Sequence, residues 1–265
     1  MHNFDYHAPK TLDAALALLR DKEDGKLVAG GMTLLPTLKQ RLAAPSDLID
    51  LAAINEMKGV CRDGNELVIG AMTCHADVAA NADVQALIPA LAHLASIIGD
   101  PAVRHRGTIG GSIANADPAA DYPAAVVGLN ATIVTNKRRI AADDFFIALF
   151  ETALERDEII TSVRFPIPDC AGYQKFRHPA SGYAVVGVMV ARFGDKVRVG
   201  VTGAAGSAFR AGDFEAALEA NFSPDALLDV TMSPDDLLSD IHCSNEYRAH
   251  LVNVMARRAV AAAGA

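Results

Sequence analysis

The sequence holds no C-x-x-C pair, and its four cysteines, Cys61, Cys74, Cys170 and Cys243, lie far apart along the chain. Zinc and iron–sulfur sites need clustered ligands, so no such site is expected from this chain alone. The thiols read as buried or inert. The eight histidines are equally dispersed, without an H-x-x-x-H, and His105 beside a glycine stretch reads as structural. Nowhere do five basic residues stand together, and the formal net charge is −8. That balance argues against non-specific binding to nucleic acid or to an anionic membrane. No apolar stretch approaches the ~20 residues of a membrane span. The start, Met1-His2-Asn3-Phe4-Asp5-Tyr6, lacks the basic-then-apolar layout of a signal peptide, so a cytoplasmic location is expected. Neither G-x-G-x-x-G nor G-x-x-x-x-G-K-[ST] occurs. The run Gly110-Gly111-Ser112-Ile113-Ala114 also lacks the second glycine of a nucleophile elbow.

Two glycine pairs stand out against these absences. In Gly107-Thr108-Ile109-Gly110-Gly111-Ser112, hydroxyls flank a pair that can take positive φ and admit another molecule to the main chain. Asp117 and Asp121 follow, then a small-residue run that reads as a buried helix. In Lys26-Leu27-Val28-Ala29-Gly30-Gly31-Met32-Thr33-Leu34-Leu35-Pro36, a short strand over Leu27 to Ala29 runs into the other pair, first in chain order, then a hydroxyl and a helix. Pro36 is tolerated in the first helical turn, where N–H groups have no helical partner. Exposed amides and hydroxyls make an anion seat. Taken singly, each stretch fits a plain glycine turn as well. Two of them in one chain suit a long ligand with a pyrophosphate bridge. Asp117 and Asp121 are read as contacts to ligand hydroxyls or as helix caps, ahead of acid–base catalysts.

The totals are those of a soluble globular protein: 265 residues, 51% hydrophobic and 21% charged, with length for about two domains. In order, the chain reads as strand, helix (Leu12, Ala15, Leu16 and Leu19 on one face), strand, helix and strand, an α/β unit of residues 1–55. From 56 to 170 come a hairpin turning at Arg62-Asp63-Gly64-Asn65, a helix from Thr73, and an apolar helix from Asp83 to Ile98. The second glycine loop with a helix through Leu129 follows, then a hairpin at Thr132 to Ile140. A turn into a short helix is expected at Asp143 to Phe146, and a strand at Ile159 to Phe165. Pro166-Ile167-Pro168-Asp169 reads as a linker. Residues 171–265 read as three strands (Tyr173–Phe176, Ala184–Phe193, Val197–Thr202) and helices at Phe214–Ala220, Ser223–Leu228 and Asn245–Ala263.

Taken in order, these motifs resemble a known family. The stretches are Ala29 to Pro36, Ile98-Gly99-Asp100-Pro101, Gly107 to Ser112, Ala116 to Pro123, Asp144-Phe145-Phe146, Ser239 to His242 and Glu246 to His250. The chain is similar, over its whole length, to the FAD-binding medium subunits of molybdenum hydroxylases, the group of carbon monoxide dehydrogenase and xanthine dehydrogenase. The resemblance implies an α+β fold: a two-lobed FAD-binding domain of the PCMH type with two α/β subdomains, then a C-terminal domain of small antiparallel sheet and helix bundle. It implies non-covalent FAD on Ala29, Gly30, Gly31, Met32, Thr33 and Leu34 and on Thr108, Ile109, Gly110, Gly111 and Ser112. Asp121 matches a cofactor-contacting aspartate, and Lys26 precedes the first loop as a partner for phosphate. Lys175 matches a lysine near the flavin end. Tyr183 matches a tyrosine that covers the isoalloxazine ring, although it equally fits a core aromatic. Met32, Ser112 and Asn115 depart from common family residues. The resemblance further implies electron transfer, with iron–sulfur clusters on a small partner subunit and molybdopterin on a large one, in a dimer of heterotrimers. No catalytic acid or base is required of this chain. A stand-alone FAD oxidoreductase of the same fold and a non-catalytic nucleotide-binding module are the alternatives.

Overall fold

The computed structural model describes residues 1–264. Its first lobe alternates strand and helix: β1 (Asp5–His7), α1 (Leu12–Asp21), β2 (Gly25–Val28), α2 (Leu34–Lys39) and β3 (Asp47–Asp50). The strands are parallel, in the order β1-β3-β2, and the helices supply the crossovers that parallel pairing demands. Thr11 caps α1 by accepting the Ala14 N–H at 3.3 Å, and Ala15, Leu16 and Leu19 turn inward.

The second lobe contains β4 (Val60–Asp63), β5 (Glu66–Gly70), α3 (His75–Ala80), α4 (Ala82–Leu87), α5 (Pro89–Ser96), α6 (Pro101–Arg104), α7 (Ile109–Asn115), α8 (Tyr122–Gly128), β6 (Thr132–Thr135), β7 (Arg139–Ala141), β8 (Phe146–Ala148), β9 (Glu151–Thr152) and β10 (Ile160–Pro166). A wholly antiparallel sheet, β4-β5-β10-β6-β7, carries it. The helix expected from Asp83 to Ile98 is two helices, because Pro89 has no N–H to continue the ladder and Ile88 takes φ −140°, ψ 67°. The helix expected through Leu129 also breaks. Ala116 ends α7 in the left-handed region at φ 47°, and a turn over 117–121 precedes α8. The helix expected at Asp143 to Phe146 is a single 3₁₀ turn, Ala142–Asp144, leading into the β8–β9 hairpin.

The C-terminal region contains β11 (Cys170–Arg177), β12 (Ala184–Phe193), β13 (Lys196–Thr202), the two-residue β14 (Phe209–Arg210), α9 (Gly212–Ala220) and α10 (Asn245–Ala263). Its antiparallel sheet runs in that strand order. The segment expected as a helix at Ser223 to Leu228 is 3₁₀, Pro224–Leu227. Strand β12 is buried on both faces. Val186, Val188 and Val190 join a core with Phe214, Val252 and Met255, whereas Met189 and Ala191 join the core of the preceding lobes. Helix α8 therefore packs directly on this sheet. A Cβ on Gly200 would stand 2.5 Å from the Gly128 nitrogen and would also strike the Ala124 carbonyl. Gly200→Ala is expected to lower stability by about 1–3 kcal/mol, as overpacking does. Chemical denaturation checks this, and an unchanged midpoint would mean that α8 is free to move off the sheet.

Candidate functional site

The carboxyl end of β2 opens on a cleft of about 980 Å³ between the first two lobes. This is the edge at which α/β units commonly take ligands. The two glycine loops meet there. A Cβ on Gly30 would collide with the Arg106 carbonyl and stand 2.7 Å from the Gly107 Cα, and one on Gly111 would stand 3.2 Å from the Ala29 Cβ. Lys26, Ala29, Gly30, Gly31, Met32, Thr33, Leu34, Thr108, Gly110, Gly111, Ser112, Asp121 and Tyr183 all line the cleft. Ile109 and Lys175 do not. The Ile109 side chain is fully buried in the core, and the Lys175 side chain is spent on protein partners.

The loops differ in what they offer. Gly31 takes φ 72°, and among the described residues the backbone N–H groups of Gly30, Gly31, Met32, Thr33 and Leu34 have no partner in the chain. Five consecutive free amides make a strong anion seat. Neither Gly110 nor Gly111 takes positive φ, contrary to the sequence expectation, because both lie in the first turn of α7. Their amides are not free. Gly110 donates to the Ala71 carbonyl at 2.8 Å and Gly111 to Thr108 Oγ1 at 3.1 Å. A Cβ on Gly110 would stand 2.5 Å from that of Ala71, so the second pair serves close packing. Thr108, as the N-cap, and Ser112 bring hydroxyls to the wall.

Asp121 lies at the base of the turn that precedes α8 and is only 4% exposed. It accepts from Tyr173 Oη at 2.6 Å and from Lys175 Nζ at 3.0 Å. Burial pushes its carboxyl up, while the ammonium and the phenol oppose that rise. Lys175 also donates to the carbonyls of Ile97 and Gly182, both at 3.1 Å. It thus ties the segment 177–183, which forms part of the cleft wall, to the end of α5. Tyr183 is 44% exposed and sits on that wall, so the core-aromatic alternative is set aside.

Residues 2–168 match the family described as the FAD binding domain in molybdopterin dehydrogenase. The chain belongs to this family. It is 36% identical to the carbon monoxide dehydrogenase medium chain of Hydrogenophaga pseudoflava, covering 99% of this chain and 97% of the relative. It is also 36% identical to the nicotine 6-hydroxylase medium subunit of Paenarthrobacter nicotinovorans, covering 98% and 97%. Carbon monoxide dehydrogenase from Oligotropha carboxidovorans superposes with a TM-score of 0.90 at 33% identity, covering 98% and 97%. The protein is thus an FAD-binding subunit of a molybdenum-hydroxylase-type dehydrogenase, and the α+β fold inferred from its motifs is the fold of these chains.

The residues of this flavin subunit fit the cofactor on physical grounds. The free amides of 30–34 suit a pyrophosphate, and the missing side chains at Gly30 and Gly111 let the two loops pack against each other at the cleft. Several wall residues had no local signal in the sequence. Glu158 is held by Arg138 at 3.0 Å and Thr135 at 2.7 Å, pairings 20 and 23 residues apart, and Arg138 draws its carboxyl down to about 2. Phe150, Arg156, Arg177 and His75 also line the cleft. Among the described residues no helix is long and apolar enough to cross a membrane.

Lys175→Met strands the Asp121 carboxylate in the interior. A loss of about 3–5 kcal/mol is expected, with part of it recovered when Asp121→Asn is added. Urea denaturation of the single and double variants checks this. Equal losses in both would contradict the pairing.

Proposed function

We propose that this subunit takes electrons from iron–sulfur clusters on a small partner subunit and passes them to an external acceptor, while substrate is oxidised at a molybdenum centre on a large partner subunit. The proposed assembly is a dimer of heterotrimers in the cytoplasm. The observation that carries this reading is the run of five unpaired amides at the mouth of β2, inside a cleft large enough for a dinucleotide. The relatives add a common theme: several are named as medium or FAD-binding subunits of dehydrogenases or of a hydroxylase, for different compounds, carbon monoxide, nicotine, glyceraldehyde and xanthine among them. One flavin subunit serving many substrates fits a chain that handles electrons and leaves substrate choice to the large subunit.

FAD bound here supplies two-electron redox chemistry that no side chain provides. The chain's own residues bind and orient it. The amides of Gly30 to Leu34 would hold the pyrophosphate, with the Lys26 ammonium as a further partner for phosphate. Thr108 and Ser112 offer hydroxyls from the facing loop. Gly110, Gly111 and Ile109 set the spacing of that loop by packing against Ala71 and the core. Tyr183, 44% exposed on the cleft wall, would cover the flavin ring, as the family resemblance implies. Asp121 and Lys175 act from below by fixing the 177–183 segment.

Gly111→Trp fills the space between Thr108 and Ala29 and is expected to abolish FAD uptake while far-UV circular dichroism is preserved. Full flavin occupancy in the folded variant would refute the loop assignment. The electron path is tested in the purified complex without acceptor. Substrate of the large subunit should bleach the flavin, and an iron–sulfur subunit that becomes reduced while the flavin stays oxidised contradicts the proposed order.

A further inference from the structure

His75 is the first residue of α3, lines the cleft and is only 4% exposed. Its Nδ1 is fully buried without a hydrogen-bond partner. Its ring lies 5.3 Å from that of Tyr122, whose hydroxyl is also buried and unpaired. Leaving a buried polar group unsatisfied is costly, so two such groups side by side call for an explanation. The surroundings leave room for the imidazole. A Cβ on Gly107 would stand 2.6 Å from His75 Nε2, so the absent side chain lets the second loop pack directly against that edge of the ring. Burial, helped by the nearby Arg104 charge, pushes the imidazole down to about 4. At neutral pH the ring is uncharged and carries one N–H donor and one lone pair.

We propose that His75 is a cofactor-orienting residue, whose imidazole hydrogen-bonds an oxygen of the sugar–phosphate span of the bound dinucleotide. The inference rests on the FAD reading of the cleft and goes beyond it, because no motif assigns His75 a role. A neutral imidazole suits this place. It pairs with a hydroxyl or a phosphate oxygen in either sense, without bringing a charge into a buried position beside Arg104. The Tyr122 ring supports its edge, and Gly107 fixes its distance from the second loop. His75 lines the same cleft as the free amides of 30–34 and the hydroxyls of Thr108 and Ser112.

The test uses the assembled complex, stripped of flavin and titrated with FAD, in wild type, His75→Phe and His75→Asn. Loss of one hydrogen bond to a ligand in a buried site should weaken FAD binding about tenfold in His75→Phe. His75→Asn, which keeps a donor and an acceptor, should recover part of that loss. Histidine C2-hydrogen exchange, read by mass spectrometry for His75 with and without FAD, gives a second readout independent of activity. It should slow on binding. Wild-type and His75→Phe affinities within twofold of each other, with unchanged exchange at His75, would overturn the role of His75 alone. A wild-type complex that takes up no FAD would overturn the cleft reading and this inference with it.

Discussion

The buried pairing of Asp121 with Lys175 is the constraint on which the rest depends. Two opposite charges removed from water are costly unless each finds its partner and its remaining hydrogen bonds. Here Lys175 has three acceptors, in Ile97, Asp121 and Gly182, and Asp121 has two donors, in Lys175 and Tyr173. The turn that carries Asp121 is gripped along its length by the C-terminal sheet. Gly203 donates to the Pro118 carbonyl at 2.6 Å and Ala184 to that of Ala119 at 3.2 Å, while the Thr202 hydroxyl reaches both Pro118 and Ala120. One end of the cleft-forming helix pair is thereby fixed to a sheet more than fifty residues further along the chain. The C-terminal region is part of the site's foundation, although most of its side chains never reach the cleft.

The two glycine pairs illustrate how one sequence pattern serves two physical ends. Gly30 and Gly31 open a loop whose amides stay free, because α2 begins only at Leu34 and nothing in the chain turns back to meet them. Gly110 and Gly111 sit inside a helical turn capped by Thr108, where each amide already has a partner and the absent side chains allow contact with Ala71 and Ala29. One loop leaves its amides free, and the other packs as part of the cleft wall. A Cβ at Gly30 would strike the Arg106 carbonyl and one at Gly110 would strike Ala71, so a side chain at either forces packed segments apart, while Gly31 needs its freedom for a φ of 72°.

Much of this was legible in the sequence. The α/β character of the first lobe followed from its alternating strands and helices, and the last helix follows its periodicity over Asn245–Ala263. The glycine stretches pointed to the cleft, since they lie on short local segments with strong backbone requirements. Other features were not legible because they depend on distant partners or on a single residue overriding a pattern. Pro89 split a helix whose apolar periodicity runs straight through it. The occupied state of the Gly110 amide depends on the Ala71 carbonyl, which lies across the fold. Lys175 was read as a direct cofactor contact, yet its ammonium is consumed by groups 7, 54 and 78 residues away. His75 carries no local signal, and its orphaned nitrogen is visible only once Tyr122 and Gly107 are packed around it.

The central claim, that the cleft between the glycine loops seats FAD, is tested most directly by the visible absorption spectrum of the protein purified in its native complex. The expected result is a flavin band that survives gel filtration and bleaches with dithionite. A folded, intact complex without any flavin band, even after incubation with excess FAD, would contradict it.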